Sequence, residues 1–179
     1  MSDTNGTGVP EGDGADDAAA AQNQAAQFRI LTQYIKDLSF ENPDALKVLG
    51  GNAEQPKMDV SVNVGVTPQQ NDQYEVSLSF SVNARSGDNT VFIAELDYAA
   101  LFLIQGVPQE SLQPVLLIEC PRLIFPFARR IIADLTRDGG YPPLMLEPID
   151  FVSLYRSQME RQAARQEQQG GETPEAPKG

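Results

Sequence analysis

The sequence predicts an α+β domain, a four-stranded antiparallel sheet followed by helices. Three observations carry this expectation. Apolar and polar residues alternate over Met58–Val66 and again over Tyr74–Ala84, the period of two that marks a strand with one buried face. The loops joining the strand candidates are too short for helical crossovers, so neighbouring strands run antiparallel. Beyond Gln109 the apolar spacing becomes helical.

The first element, Phe28–Glu41, fits two templates. Phe28, Leu31, Ile35 and Leu38 make a helical stripe, whereas Phe28, Ile30, Tyr34, Leu38 and Phe40 make a strand face. Its β-branched and aromatic content favours the strand. Asn42–Pro56 holds Pro43, Gly50, Gly51 and Pro56 and reads as a long connection. The second strand sets Met58, Val60, Val62, Val64 and Val66 against Asp59, Ser61 and Asn63. After a turn over Pro68–Gln73, the third sets Tyr74, Val76, Leu78, Phe80 and Val82 against Glu75, Ser77, Ser79 and Ser81. Ser86-Gly87-Asp88-Asn89 turns the chain into a fourth strand, Val91–Ile104.

Gln109–Ile118 reads as a short helix or turn. Pro121–Asp138 reads as a longer helix, with Arg129, Arg130 and Arg137 towards its C-terminus and Gly139-Gly140 as its stop. Pro126 is expected to start or kink it. Tyr141–Pro148 is a proline-rich loop, and Asp150 is a candidate N-cap for a last helix with Phe151, Leu154, Tyr155 and Met159 on one face.

Composition sets the limits of the folded part. Residues 1–27 carry five acids and no Lys or Arg among Gly, Ala, Asn and Gln, which predicts a disordered acidic tail. Residues 28–160 form the expected domain. Residues 161–179, rich in Gln, Glu, Gly and Pro, are expected to be a fraying helix end and a flexible tail.

Charge and residue types then exclude whole classes of chemistry. Thirteen Lys and Arg against twenty-five Asp and Glu give a net charge of −12, which repels phosphate backbones and anionic lipid and attracts basic partners. The absence of His removes imidazole bases and His-ligated metals. Cys120 alone allows neither an internal disulfide nor a cysteine cluster, and it reads as a buried thiol. No phosphate-binding glycine loop is present, and the glycine pairs read as turns. No secretory signal or spanning segment is visible, which predicts a cytoplasmic protein. Abundant carboxylates leave a carboxylate-pair enzyme open. One arrangement is more specific. Asp37, Ser39 and Glu41 share one face of the first strand, and Ile93, Glu95 and Asp97 share one face of the fourth. These faces are either simply solvated or form an acidic patch that docks a basic partner.

Three motifs carry a family resemblance. CPRLIFPFAR, Cys120–Arg129, resembles the CP..LFPYAR signature of SecB, the bacterial protein-export chaperone family. QYIKDLSFENP, Gln33–Pro43, is similar to that family's first-strand motif, with Lys36, Asp37, Ser39, Phe40 and Glu41 in place. YPPLMLEPIDFVSLY, Tyr141–Tyr155, resembles its FP.L.L.P.NF..L segment. Order and spacing agree over about Phe28–Met159.

The resemblance implies a SecB-like fold that assembles as a homotetramer, a dimer of dimers with helices packed between two large sheets. It implies an ATP-independent holdase that binds unfolded precursor proteins, keeps them translocation-competent and delivers them to the SecA motor ATPase. The positions matching the SecA-docking face are Asp37, Glu41, Ile93 and Glu95. Candidates for lining an unfolded-peptide groove are Phe40, Leu46 and Leu49 beside the long connection, and Tyr141, Leu144, Phe151 and Tyr155 around the last helix; aromatics at helical spacing are more often core, and each of these residues has that reading too. The loop Trp usual in the family is missing, with Ala53 or a neighbour in its place. No catalytic residue, metal or cofactor is implied. The alternatives are a SecB-like chaperone of a toxin–antitoxin system and a carboxylate-dependent enzyme.

Overall fold

A computed structural model describes residues 27–43, 45–47 and 56–170. The tail expected over residues 1–27 lies outside them but for Gln27, as do Leu49, Ala53 and residues 171–179. Four strands form one antiparallel sheet: β1 (Gln27–Glu41), β2 (Lys57–Pro68), β3 (Gln73–Ser86) and β4 (Asn89–Gln105). Their spatial order is β1-β4-β3-β2, so β1 and β2 are the edges. A single turn, α1 (Ala45–Lys47), lies in the connection after β1. Then come α2 (Gln109–Pro114), α3 (Cys120–Asp138) and α4 (Phe151–Gly170).

Alternation sorts β2, β3 and β4 onto two faces as expected. Val76, Leu78, Phe80, Val82, Phe92, Ala94, Leu96 and Phe102 are buried towards the helices. Ser77, Ser79, Ser81, Glu95 and Asp97 point to the other side, the outer face. β1 departs from simple alternation. Its pairing with β4 slips once between Ile30 and Thr32 and again between Ile35 and Asp37. Each extra residue turns the side chains that follow to the opposite face. Tyr34, expected beside Leu38 on the buried side, therefore pairs with Ala99 on the outer face, while Gln33 and Ile35 face the helices. Lys36 also leaves the side of Leu38: its Nζ lies 2.7 Å from Oε1 of Glu75 on the outer face.

The turns follow local chemistry. Gly87 has φ +58° between the closing pair Ser86 and Asn89, the conformation that a two-residue hairpin loop requires there. Asn71 and Asp72 adopt φ +58° and +57°, which their short polar side chains tolerate.

The helical region is one irregular run. Between α2 and α3, Val115–Glu119 forms a π-helical turn. Pro114, Pro121 and Pro126 each lack the amide hydrogen that a regular ladder needs, and this is the physical source of the irregularity. Pro126 does not start α3, as expected of one of its two options; it lies inside the helix, which begins at Cys120. Ile124, Ala128, Ile132 and Thr136 are buried against the sheet, at steps of four along α3. Leu123 and Phe127 lie on its outward side, 43% and 45% exposed. α3 packs over β3 and β4. Ile35 and Leu38, on the helix side of β1, stay 46% and 41% exposed.

Three details fix the end of α3. Gly140 turns the chain at φ +92°. Gly139 accepts the ring of Phe40 so closely that a Cβ there would stand 2.3 Å from it. Thr136 donates to the Ile132 carbonyl at 3.0 Å and accepts from the Leu144 amide at 2.9 Å, pinning the following loop to the helix. Asp150 caps α4 as expected, with Oδ1 accepting from the amides of Val152 and Ser153 at 3.0 and 3.1 Å. The Ser153 hydroxyl, then its amide, hold the Asp150 carboxyl below the usual carboxylate range. α4 runs to Gly170, ten residues past the expected domain boundary at Glu160.

Candidate functional site: the outer sheet face and the aromatic helix side

The cross-strand register assembles the acidic face. Glu41 pairs with Ile93, Ser39 with Glu95, and Asp37 with Asp97. These pairs place Asp37, Glu41, Ile93 and Glu95 in one contiguous patch. The three carboxylates are exposed and Ile93 is half-buried. Beside the patch lies a shallow concavity of about 320 Å³ whose lining includes Asp37, Glu95, Asp97, Ser61, Asn63, Ser79 and Ser81. The Ser79 hydroxyl donates to Asp97 Oδ1 at 3.3 Å.

A polar cluster on the same face follows from the bulges of β1. Glu75 accepts a short hydrogen bond from the Tyr34 hydroxyl and is paired with Lys36. Lys36 and then Tyr34 depress the Glu75 pKa, and Glu75 raises that of Lys36. The cluster therefore contributes stability above the ordinary Glu pKa, and loses it as pH falls through the lowered folded value. Sequence alternation missed it, because the slip that turns Tyr34 and Lys36 outward leaves no mark in the spacing of apolar residues.

The helix-side candidates divide into separate groups. Phe40 stacks on Phe92 at 5.5 Å, and Phe92 meets Tyr141 at 4.9 Å. The Tyr141 hydroxyl donates to Asn42 Oδ1 at 2.7 Å, and burial raises its pKa against the lowering effect of that bond. Phe40 and Tyr141 thus meet through a third ring at the end of α3. Leu144 is half-buried on the loop that Thr136 pins. Phe151 sits elsewhere: it is 1% exposed and packs edge-on against Phe125 at 6.1 Å within the core. Tyr155 is half-buried one turn further along α4. Leu46, on α1, is 91% exposed.

Cys120 is buried, and burial pushes its thiol up to about 12. At neutral pH it carries almost no thiolate, the form a nucleophile needs. No group of three or more Cys, Asp or Glu suited to a metal ion exists among the described residues. No helix among them is long and apolar enough to cross a membrane.

A profile described as "Preprotein translocase subunit SecB" matches residues 21–162. The chain belongs to the SecB family. The SecB relative named "Protein-export protein SecB" from Rhodopseudomonas palustris (strain BisB5) is 52% identical over 160 residues, 89% of this chain and 96% of that protein. One of the same name from Parvibaculum lavamentivorans is 57% identical over 136 residues, 75% and 81% of the two chains. A solved SecB-like chaperone of Mycobacterium tuberculosis, in complex with a ChAD peptide from the HigA1 antitoxin, shares the fold. Its TM-score is 0.57 at 19% identity, over 74% of this chain and 94% of that one. The SecB family is one of export chaperones, not of enzymes, as the three sequence motifs implied.

Proposed function

We propose that this chain is an ATP-independent holdase that binds unfolded precursor proteins in the cytoplasm, keeps them translocation-competent and delivers them to the SecA motor. It works as a tetramer, a dimer of dimers. The observation that carries the reading is the separation of two unlike surfaces on one subunit. The outer sheet face presents Asp37, Glu41, Glu95 and the half-buried Ile93 in one patch. The helix side leaves Ile35, Leu38, Leu123 and Phe127 exposed. An acidic sheet face suits a basic motor segment. Open apolar surface suits a second copy or an extended client with little side-chain specificity. Phe40, Tyr141, Leu144 and Tyr155 border the helix side and are the proposed groove lining, with Leu46 and Leu49 on the connection. Phe151 is left out of that lining, since it is buried against Phe125 in the core.

Titration calorimetry with SecA tests the docking face. Each exposed ion pair contributes about 0–1 kcal/mol, so Asp37→Asn combined with Glu41→Gln should weaken binding by about tenfold. Wild-type binding should also weaken as salt shortens the screening length to about 3 Å at 1 M. Subunit number should be unchanged. Affinity indifferent to both salt and the substitutions would show this face to be solvated sheet surface only.

A further inference from the structure

The loop after α3 leaves a groove on the helix side. The Thr136 hydroxyl accepts from the Leu144 amide at 2.9 Å and so holds that loop beside α3. Between them lies a concavity of about 470 Å³ whose lining includes Phe125, Pro126, Arg129, Arg130, Arg137 and Met145. Three arginines in one groove reverse the sign of a chain whose net charge is −12. The groove holds one carboxylate, Asp134, which Arg130 and Arg137 share at 3.4 and 3.0 Å. Arg129 has no ion-pair partner among the described residues, and its Nε is buried without a hydrogen-bond acceptor. A buried N–H left in that state is costly and rare. The groove is short of negative charge, and its apolar wall is open at Met145, an exposed side chain.

We propose that residues 11–17 of this chain dock in the groove. They hold Glu11, Asp13, Asp16 and Asp17, and residues 1–26 contain no Lys or Arg. The occupant is argued from charge complementarity and from reach. Carboxylates pair with guanidinium groups through charge-assisted, often bidentate hydrogen bonds. Gly12, Gly14 and Ala15 between the acids are small enough to lie close to a shallow wall. The segment joins the fold at Gln27, the first residue of β1. Phe40, thirteen residues further along β1, meets Gly139 at the end of α3. A strand rises about 3.3 Å per residue, so that end is roughly 43 Å from Gln27. The sixteen residues from Glu11 to Gln27 span about 53 Å when extended. The acidic run therefore reaches the groove, which lies short of the end of α3. Tethering makes the docking intramolecular, so weak contacts suffice. Docked, the run shields three arginines from acidic segments of other chains. The proposal goes beyond the chaperone reading and stands without it.

Methionine-methyl NMR of the full chain tests it, with a nitroxide label attached at Gly14→Cys. The native thiol of Cys120 is buried and does not compete for the label. Met145 reports the groove, and Met58 on the edge strand β2 is the control. At low salt the label should remove most of the Met145 signal and spare Met58. At 1 M salt, where the screening length falls to about 3 Å, Met145 should recover. It should also recover when Glu11→Gln, Asp13→Asn, Asp16→Asn and Asp17→Asn are combined, and in Arg129→Gln. The combined variant changes nothing in the sheet or helices, so its result does not depend on folding. Arg129 is half-buried, so Arg130→Gln with Arg137→Gln, at exposed side chains, repeats the groove arm. Full Met145 intensity at low salt would overturn the proposal, as would equal broadening of Met145 and Met58. Broadening indifferent to salt and to the acidic substitutions would overturn it too. Two results would give the groove to another occupant and refute the docking. One is loss of subunits in the arginine variants, by sedimentation, with Met145 unbroadened in the labelled parent. The other is a Met145 shift on adding denatured precursor, again with no broadening by the label.

Discussion

Phe92→Ala is expected to lower unfolding stability by about 3–5 kcal/mol, the range for emptying the site of a buried aromatic ring. Phe92 is fully buried and lies between Phe40 and Tyr141, at 5.5 and 4.9 Å. Both neighbours are held from their far sides, Phe40 against Gly139 and Tyr141 by Asn42. Neither can move in to fill the space without breaking those contacts, so the cavity should persist. Urea unfolding at fixed protein concentration measures the effect, concentration being held because subunit association contributes to apparent stability. A loss below about 1 kcal/mol would mean that the aromatic chain collapses freely and does not organise the end of α3. The contrasting substitution is Leu46→Ala on α1: a side chain 91% exposed should leave stability unchanged.

Phe127→Asp should disrupt assembly while sparing the subunit fold. Phe127 and Leu123 are one turn apart on α3, 45% and 43% exposed, and neither faces the core. An apolar stripe on a helix that already packs its other side on a sheet is covered well by the same stripe of a second copy, since closed symmetric contacts hide such surface. A carboxylate placed there meets its own symmetry mate, and burying it unpaired is costly. Sedimentation at micromolar concentration should show the wild type near four chains and Phe127→Asp near one or two, with an unchanged circular dichroism spectrum. A wild-type monomer would overturn the assembly, and a variant that keeps the full mass would place its contact elsewhere.

How much of this was legible in the sequence depended on the range of the interactions involved. Alternation in β2 and β3 is local, and it placed Val62, Leu78 and Phe80 on one apolar face without reference to any other part of the chain. Asp150 as the cap of α4 was equally local. β1 was harder, because its two register slips show only in its pairing with β4. They exchanged the sides of Tyr34 and Ile35 and sent Lys36 to Glu75, thirty-nine residues away. Of the two options for Pro126, start or kink, the structure removes the first. Its ring bars a regular ladder locally, but packing of Ile124, Ala128 and Ile132 on the sheet outweighs that cost and carries the helix through it. The acidic face was visible strand by strand. What could not be read was that Asp97 stands opposite Asp37 and not opposite Ser39, a matter of register between segments sixty residues apart. The aromatic groups were found as residues but not as places: nothing in the spacing of Tyr141 and Phe151 says that one ends beside Phe40 and the other beside Phe125.

A holdase of this kind keeps unfolded precursors in complex without nucleotide. Native mass spectrometry of the full chain, alone and mixed with a denatured precursor diluted into nucleotide-free buffer, tests it most directly. The expected spectra show a species of four chains alone and a species of four chains carrying one precursor in the mixture. Parallel light scattering should show suppressed precursor aggregation. A precursor that aggregates at its own rate, with no complex detected beside the free chaperone, would contradict it.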